Sequence, residues 1–97
     1  MRLLLRESAI EAYLVRKVDE AGGMTRKASW IGRRGAPDRV VFLPGGVVVW
    51  VELKAPGKKP DPHQAREHFR LAQMEQRVLV IDSKEQVDEF LNKEAKQ

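Results

Sequence analysis

The sequence predicts an α/β domain in which a mixed β-sheet is flanked by helices. Apolar residues recur every three or four positions in three separate segments, as they do in amphipathic helices. The run Val-Val-Val-Trp-Val at 47–51 is apolar on both faces, which is typical of a strand inside a covered sheet. A helical segment precedes the last apolar run, so we expect the last strand to join the sheet through a crossover connection. The 97 residues fit a single domain spanning 1–97.

Seven elements are predicted in the order α-β-β-β-α-β-α. In chain order they are a helix at 5–21, strands at 24–31, 38–43 and 47–54, a helix at 61–76, a strand at 77–81 and a last helix that begins after residue 83. Glycine and proline mark the main connections, which are a loop at 32–37, a turn at 44–46 and a loop at 55–60.

The first helix has Ile10, Leu14 and Val18 on one stripe, which is expected to face the core. The pair Gly22-Gly23 ends this helix. Only a three-residue turn separates the second strand from the third, so these two strands should pair as a hairpin.

The second helix is expected to begin at Asp61, which suits an N-cap position, with proline in the first helical position. Gln64 occupies the third position and completes the pattern of a capping box. The buried stripe of this helix is predicted to contain Ala65, Phe69 and Ala72.

The last strand and the last helix complete the predicted core. Residues 77–81 form a short apolar run, which predicts a buried strand. Ser83 is expected to cap the helix that follows. The inner face of that helix is predicted to contain Val87, Phe90 and Leu91.

Composition narrows the classes of function. The absence of cysteine excludes disulfides, thiolate zinc sites and cysteine nucleophiles, and it suits a reducing compartment. No segment resembles a signal peptide or a membrane span, so we expect a cytoplasmic protein without a membrane partner. Lys and Arg number 18 against 14 Asp and Glu, a net charge of +4 that fits a polyanionic partner.

Three residues suited to hydrolytic chemistry converge at one end of the predicted hairpin. Asp38 begins the second strand, and Glu52 and Lys54 lie near the end of the third. Residues two apart on a strand share a face, and antiparallel pairing brings the start of one strand beside the end of the next. Two neighbouring carboxylates repel each other unless a cation joins them. Oxygen ligands without thiolates or clustered histidines favour Mg²⁺ or Mn²⁺ over zinc.

A metal at this position is expected to polarise a phosphoryl oxygen and to lower the pKa of a bound water. Lys54 could orient or deprotonate that water, or stabilise the developing charge. The alternative is an ordinary surface salt bridge, which contributes only about 0–1 kcal/mol. The arrangement is more specific than an isolated Glu-x-Lys, because Pro-Asp at 37–38 opens one apolar strand and Glu-Leu-Lys at 52–54 closes another.

The pattern Gly-Ala-Pro-Asp at 35–38, followed by a hairpin and by Glu-Leu-Lys at 52–54, resembles the PD-(D/E)xK nuclease superfamily. The Ala-Pro-Gly that follows, and a helix that carries Gln64 soon after a basic loop, resemble the virus-type replication-repair nuclease group (VRR-NUC) of that superfamily. The resemblance covers roughly residues 10–82. It implies a restriction-endonuclease-like core, with a mixed central sheet flanked by helices.

The resemblance also implies roles for individual residues. The ligands of Mg²⁺ or Mn²⁺ would be Asp38, Glu52 and the backbone carbonyl of Leu53. Lys54 would serve the attacking water. Gln64 matches the glutamine that the family has on a helix near the catalytic lysine.

Two assignments have structural alternatives. Glu11 is the candidate for the acidic residue that the family has on its first helix, and Glu7 is the alternate; Glu11 fits a capping box with Ser8 equally well. Gln64 also fits a capping box with Asp61. That role is compatible with a place at the site, because the first turn of a helix is well suited to face a phosphate.

Basic residues flank the predicted site in two loops, at Arg33, Arg34, Lys58 and Lys59. Contacts from these loops to phosphates would fix the position of DNA without reading its sequence. Solvated loop charge is the alternative, and the clustering beside carboxylates favours DNA binding. Weaker candidates for DNA contact are Arg26, Lys27, Arg66 and Arg70.

The histidines and tryptophans are assigned mainly structural or surface roles. His63 and His68 are expected to be solvated or to face DNA, because no other histidine or cysteine completes a metal set. Trp50 shares a strand face with Glu52 and is expected in the core. Trp30 lies near the loop and could face a partner subunit.

The predicted activity is hydrolysis of DNA phosphodiesters by a metal-activated water, which for this superfamily leaves 5′-phosphate and 3′-hydroxyl ends. A minimal chain has no further domain to read sequence, so we expect a structure-specific, intracellular enzyme of phage or bacterial type. Stand-alone members of the group resemble Holliday-junction resolvases, which implies a homodimer that cuts four-way junctions at two symmetrical positions. The alternatives are a flap or nicking nuclease, a catalytically silent DNA-binding module and a small structural protein.

Overall fold

The computed structural model describes residues 5–95, and its elements follow the predicted order. They are α1 (Glu7–Glu20), β1 (Met24–Lys27), β2 (Arg39–Leu43), β3 (Val47–Leu53), α2 (Pro62–Gln73), β4 (Arg77–Ile81) and α3 (Lys84–Ala95). The four strands form one sheet in the order β1-β2-β3-β4. The α/β class is therefore confirmed. Within residues 5–95, no helix has the length and apolar character needed to cross a membrane.

Strand pairing agrees with the predicted hairpin and crossover. β2 pairs with β1 and with β3 in antiparallel fashion, whereas β3 and β4 are parallel. Gly45 and Gly46 in the turn between β2 and β3 have φ values of +89° and +80°, a region that glycine adopts without steric cost. α2 connects the two parallel strands, as the sequence predicts.

The apolar core lies between one face of the sheet and the helices α1 and α3. Alternate residues of β3, which are Val49, Val51 and Leu53, are buried on this face. The two helices contribute the stripes predicted from their periodicity, Ile10, Leu14 and Val18 from α1 and Val87, Phe90 and Leu91 from α3. Each fully buried side chain of this kind contributes about 1.5–3 kcal/mol, so this layer holds the sheet in register.

α2 lies on the opposite face of the sheet, and its predicted orientation is wrong. Phe69 is 64% exposed, and Ala65 and Ala72 are exposed as well. The less exposed residues of the helix are Gln64, Glu67, His68 and Leu71. Their spacing of i, i+3, i+4 and i+7 defines one helical face. This mostly polar face turns inward because the sheet beneath it carries Glu52, which two of these side chains contact.

The segment after β1 also departs from the strand predicted at 24–31. β1 ends at Lys27, and Trp30 then packs edge-on against Trp50 with ring centroids 5.6 Å apart. Trp50 is only half-buried, and its Nε1 donates a hydrogen bond of 3.2 Å to Gln76 Oε1. Trp50 therefore lies at the boundary of the protein interior and not in the core that the sequence predicts.

Candidate active site

The hairpin brings Asp38 beside the end of β3. The strand register pairs Arg39 with Val51. Asp38 precedes Arg39 by one residue and therefore lies opposite Glu52. Asp38 Oδ2 accepts a hydrogen bond of 2.7 Å from the backbone N–H of Leu53. This bond holds one carboxylate against the strand that carries the other.

Glu52 is 1% exposed and is the meeting point of the site. Its Oε2 accepts a hydrogen bond of 2.9 Å from Gln64 Nε2, and Lys54 Nζ lies 3.4 Å from the same oxygen. Its Oε1 is buried and lies 3.5 Å from His68 Nε2. Within residues 5–95, this oxygen accepts no hydrogen bond. The end of β3 and one face of α2 thus enclose a single carboxylate.

Burial, together with the neighbouring Asp38 carboxylate, raises the pKa of Glu52 to about 7, while the Lys54 ammonium acts in the opposite direction. The negative charges of Asp38 and Glu52 therefore repel each other at neutral pH in this enclosed space. A divalent cation bound by the two carboxylates would offset that repulsion.

The stability of the metal-free protein is expected to fall as the pH rises from 4.5 to about 7. In this range the folded state keeps a proton on Glu52 that the unfolded state has already released, so unfolding becomes easier at higher pH. The change is roughly 1–3 kcal/mol. Urea unfolding in EDTA at pH 5 and pH 8 measures it. An identical pH dependence in Glu52→Gln would contradict the assignment to this carboxyl group.

The residues present fit a hard divalent cation. Asp38 and Glu52 provide carboxylate oxygens, and the buried Oε1 of Glu52 has spare acceptor capacity. The peptide of Leu53 lies against Asp38 through its N–H group. Mg²⁺ is commonly held by one or two carboxylates together with several waters. No three acidic or histidine side chains of residues 5–95 are grouped to hold a metal, so an ion here would keep water ligands.

Glu11 lies against Arg39 rather than against the carboxylate pair. Its Oε2 accepts a hydrogen bond of 2.8 Å from Arg39 Nε. The proposed capping box of Glu11 with Ser8 is wrong, because α1 begins at Glu7, with Arg6 in the N-cap position. The acidic ligand predicted on the first helix therefore stays a prediction, and Glu7 is exposed.

Gln64 has two roles at the start of α2. It forms the predicted capping box, in which its N–H donates to Asp61 Oδ1 at 3.0 Å and its Oε1 accepts from the Asp61 N–H at 2.9 Å. Because Oε1 is fixed in this way, Nε2 is left to donate to Glu52. The helix cap thus orients the amide that holds the buried carboxylate.

The glycine of the Gly-Ala-Pro-Asp pattern is required for packing. Gly35 has a φ of +98°, and a Cβ there would lie 2.5 Å from the carbonyl oxygen of His63 and 3.1 Å from Glu67 Cβ. The loop that leads into Asp38 therefore packs directly on the first turns of α2. This contact couples the position of one carboxylate to the helix that contacts the other.

Gly35→Ala is expected to reduce the free energy of unfolding by about 2–5 kcal/mol. A positive φ costs about 1–2 kcal/mol for an L-residue, and the overlap with α2 adds a packing penalty of about 1–3 kcal/mol. Gly45→Ala is the matched control, because Gly45 has a φ of +89° and open space around the position of a Cβ. Urea unfolding compares the two variants. Equal losses would show that the contact between loop and helix contributes nothing.

The predicted phosphate-binding residues have different surroundings. Arg33 Nη2 lies 3.6 Å from Glu67 Oε2, which also lies 3.2 Å from Arg70 Nη1. Arg33 is thereby tied to α2, although its side chain is still 55% exposed. The other three residues are exposed, Arg34 in the loop that leads into Asp38 and Lys58 and Lys59 in the loop that follows Lys54.

Two residues near the carboxylates have roles that the sequence does not reveal. His68 is predicted to be solvated or to face DNA, but its side chain is 12% exposed and packs against Glu52. Burial lowers the pKa of His68, which keeps the imidazole neutral at neutral pH. Glu67 is 8% exposed and holds Arg33. Their helical spacing from Gln64 is the signal that could have identified both.

Known proteins resemble this chain over most of its length. A protein of Acyrthosiphon pisum secondary endosymbiont phage 1, named "Putative nuclease p44", is 50% identical over 82 residues, which cover 84% of this chain and 88% of that protein. A solved structure described as "VRR_NUC domain" superposes with a TM-score of 0.83 and 42% identity, over 89% of this chain and 94% of that one. No protein-family profile matches the chain. Identity at these levels indicates common descent as well as a common fold.

Proposed function

The chain belongs to the VRR-NUC family of nucleases, and from this membership and the geometry of its site we propose that it is a divalent-metal-dependent DNA endonuclease. The observation that carries the proposal is the enclosure of Glu52 with Asp38, Lys54 and Gln64 at one end of β3. Binding DNA alone gives no reason to place two carboxylates side by side, since they repel a polyanion. Metal-assisted hydrolysis of phosphodiesters does give such a reason.

Each residue of the site has a separate role in the proposed hydrolysis. Asp38, Glu52 and the carbonyl of Leu53 would hold Mg²⁺ or Mn²⁺. The ion supplies Lewis acidity towards the phosphate and lowers the pKa of water. Lys54 orients the attacking water, takes its proton or neutralises charge on the scissile phosphate. Gln64 keeps the Glu52 carboxylate in one orientation, so that the ligand geometry is set before DNA binds.

The proposed substrate is branched DNA, and within that class a four-way junction. Arg34, Lys58 and Lys59 bind phosphates on either side of the carboxylates, and Arg33 assists from its ion pair with Glu67. Such contacts carry no sequence information, so the enzyme selects DNA by shape. The expected products carry 5′-phosphate and 3′-hydroxyl ends.

Two symmetrical cuts in one junction require two active sites related by symmetry, so the proposed enzyme acts as a homodimer. A row of apolar residues supports a contact between subunits. Met24 pairs with Phe42, and Phe42 pairs with Val48, in adjacent strands of the sheet. Met24 is 47% exposed and Val48 is 37% exposed. Exposed apolar surface of this kind is typical of protein contacts.

Val48→Lys is expected to convert the dimer into a monomer without unfolding it. The side chain is already 37% exposed, and lysine adds a charge to the apolar row. Size-exclusion chromatography with light scattering measures the mass, and junction assays should then show single nicks in place of paired cuts. Met74→Lys, at the C-cap of α2 and 71% exposed, is the matched control, because it adds the same charge at an exposed apolar position outside the row. A dimer that persists in Val48→Lys would assign the contact to another surface.

Cleavage of labelled DNA tests the proposed function. Four-way junction, flap and linear duplex are each incubated with Mg²⁺, with Mn²⁺ and with EDTA. Paired, symmetrical cuts in the junction, lost in EDTA, are the expected result. Cleavage of flaps or duplex alone would support nuclease activity but would show that the substrate is not a four-way junction. Tight binding without cleavage in either metal would contradict catalysis and leave a DNA-binding module.

A further inference from the structure

His68 lies one helical turn after Gln64 and reaches the same carboxylate from the other side. Its Nε2 is 3.5 Å from Glu52 Oε1, while the bond from Gln64 goes to Oε2. Both Nε2 and Oε1 are buried, and within the described chain neither has a hydrogen-bond partner. Two polar atoms that lack partners and adjoin each other are each the natural partner of the other, because burying them apart costs about 1–3 kcal/mol each.

The hydrogen-bond donors around Glu52 determine which acceptor position of its carboxylate remains available to a cation. An ionised carboxylate has about four acceptor positions, two on each oxygen. Gln64 and Lys54 take positions on Oε2. A neutral imidazole that carries its proton on Nε2 takes one position on Oε1. One position on Oε1 then stays open, and the carboxylate cannot rotate without breaking a hydrogen bond.

We propose that His68 is a positioning residue that donates its Nε2–H to Glu52 Oε1 and so directs the remaining lone pair of that oxygen towards the divalent cation. The proposal rests on the proposed function, because it assigns a role in metal binding at the same site. It predicts that loss of the donor weakens metal binding, whereas another donor of similar reach preserves it. If His68 only filled space, an apolar substitution would preserve metal binding better than a substitution that keeps a hydrogen-bond donor.

His68→Leu and His68→Gln separate the two roles. Leucine keeps the volume and removes the donor, and the glutamine amide can bring its Nε2 close to the position of the imidazole Nε2. His63→Leu and His63→Gln are the matched controls, since His63 is exposed on the same helix and contacts Arg66. His68→Met is a second variant without a donor, for use if the leucine variant fails to fold. Calorimetric titration with Mn²⁺, without DNA, gives the dissociation constant for each protein.

The expected result is an affinity for Mn²⁺ that falls by about 10–100-fold in His68→Leu and changes little in His68→Gln and in both controls. Saturating Mn²⁺ should restore most of the junction cleavage of His68→Leu, because the defect lies in metal binding. Unchanged affinity in His68→Leu would overturn the proposal. Equal loss in the leucine and glutamine variants would also overturn it, since that result indicates direct ligation by the imidazole.

The wild-type protein in the same experiment distinguishes failure of this proposal from failure of the proposed function. A wild type that binds Mn²⁺ and cuts DNA, together with unaffected His68 variants, rejects only the role of His68. A wild type that neither binds metal nor cuts DNA rejects both.

Discussion

Glu52→Gln is expected to reduce DNA cleavage by roughly 10³-fold, because the metal ligand is lost and a catalytic metal contributes several kcal/mol. The same substitution is expected to stabilise the metal-free protein at pH 8 by about 1–2 kcal/mol. Glutamine has the shape of glutamate and still accepts from Gln64 and Lys54. The buried negative charge and its repulsion by Asp38, which raise the pKa of Glu52 to about 7, disappear. Activity and stability therefore change in opposite directions.

Urea unfolding in EDTA, together with junction cleavage in Mg²⁺, measures both effects. Glu89→Gln, at an exposed position on α3, is the control for loss of a negative charge and should change neither. Mg²⁺ should stabilise the wild type against unfolding and leave Glu52→Gln unaffected, since a ligand stabilises only the state that binds it. A metal-free Glu52→Gln that is less stable than the wild type at pH 8 would contradict the electrostatic interpretation. In that case the carboxylate would be a structural anchor.

The proximity of Asp38 and Glu52 follows from local features of the sequence, namely the length of the turn and the periodicity of the strands. A turn of three residues fixes the register of the hairpin, and a period of two fixes which side chains share a face. The observed pairs Leu43 with Val47 and Arg39 with Val51 extend directly to Asp38 opposite Glu52. Each of these steps depends on residues close in the chain, so the predicted order of elements and the predicted end of the sheet agree with the structure.

The orientation of α2 depends instead on what lies beneath it. Phe69 and its alanine neighbours give the helix an apolar stripe, and an apolar stripe usually faces a core. Here the covered part of the sheet carries Glu52, and a buried carboxylate needs donors more than it needs apolar contact. The helix accordingly turns Gln64 and His68 inward and leaves Phe69 64% exposed. Periodicity alone could not predict this, because the deciding charge lies on another element.

The contact that Glu11 makes is likewise determined by a residue that is distant in the sequence. Its position on α1 fits a metal ligand or a capping partner, and both interpretations use only nearby residues and the family pattern. Its observed partner is Arg39, on the strand that Asp38 precedes. Since Arg39 alternates with Asp38 along the chain, it lies on the other face of the sheet, towards α1. A contact between residues 28 positions apart leaves no local pattern in the sequence.

Lys54→Met is expected to lower kcat by about 10²–10³-fold while the protein still binds metal. The Lys54 side chain is 18% exposed, so methionine keeps most of its apolar contact and removes the charge. The ammonium group is not a metal ligand, and the ion should therefore bind in its absence. This outcome separates Lys54 from Glu52, whose loss removes metal binding and cleavage together.

The pH dependence of metal binding gives this prediction a second, independent part. Lys54 lowers the pKa of Glu52, so its removal raises that pKa further. A proton then competes with the metal more strongly at pH 6.5, and the affinity for Mn²⁺ should fall there by several-fold relative to wild type. At pH 8.5 the carboxylate is ionised in both proteins and the affinities should converge.

Titration with Mn²⁺ at the two pH values, and single-turnover cleavage at saturating Mn²⁺, test both parts. Lys58→Met is the control, because Lys58 is an exposed loop lysine whose loss should weaken DNA binding and its salt dependence without lowering the cleavage rate of bound DNA. A Lys54→Met enzyme that cleaves at the wild-type rate when saturated with metal would show that the ammonium only sets the charge of Glu52. A loss of rate that persists at saturation and at pH 8.5 requires Lys54 to act on the water or the phosphate itself.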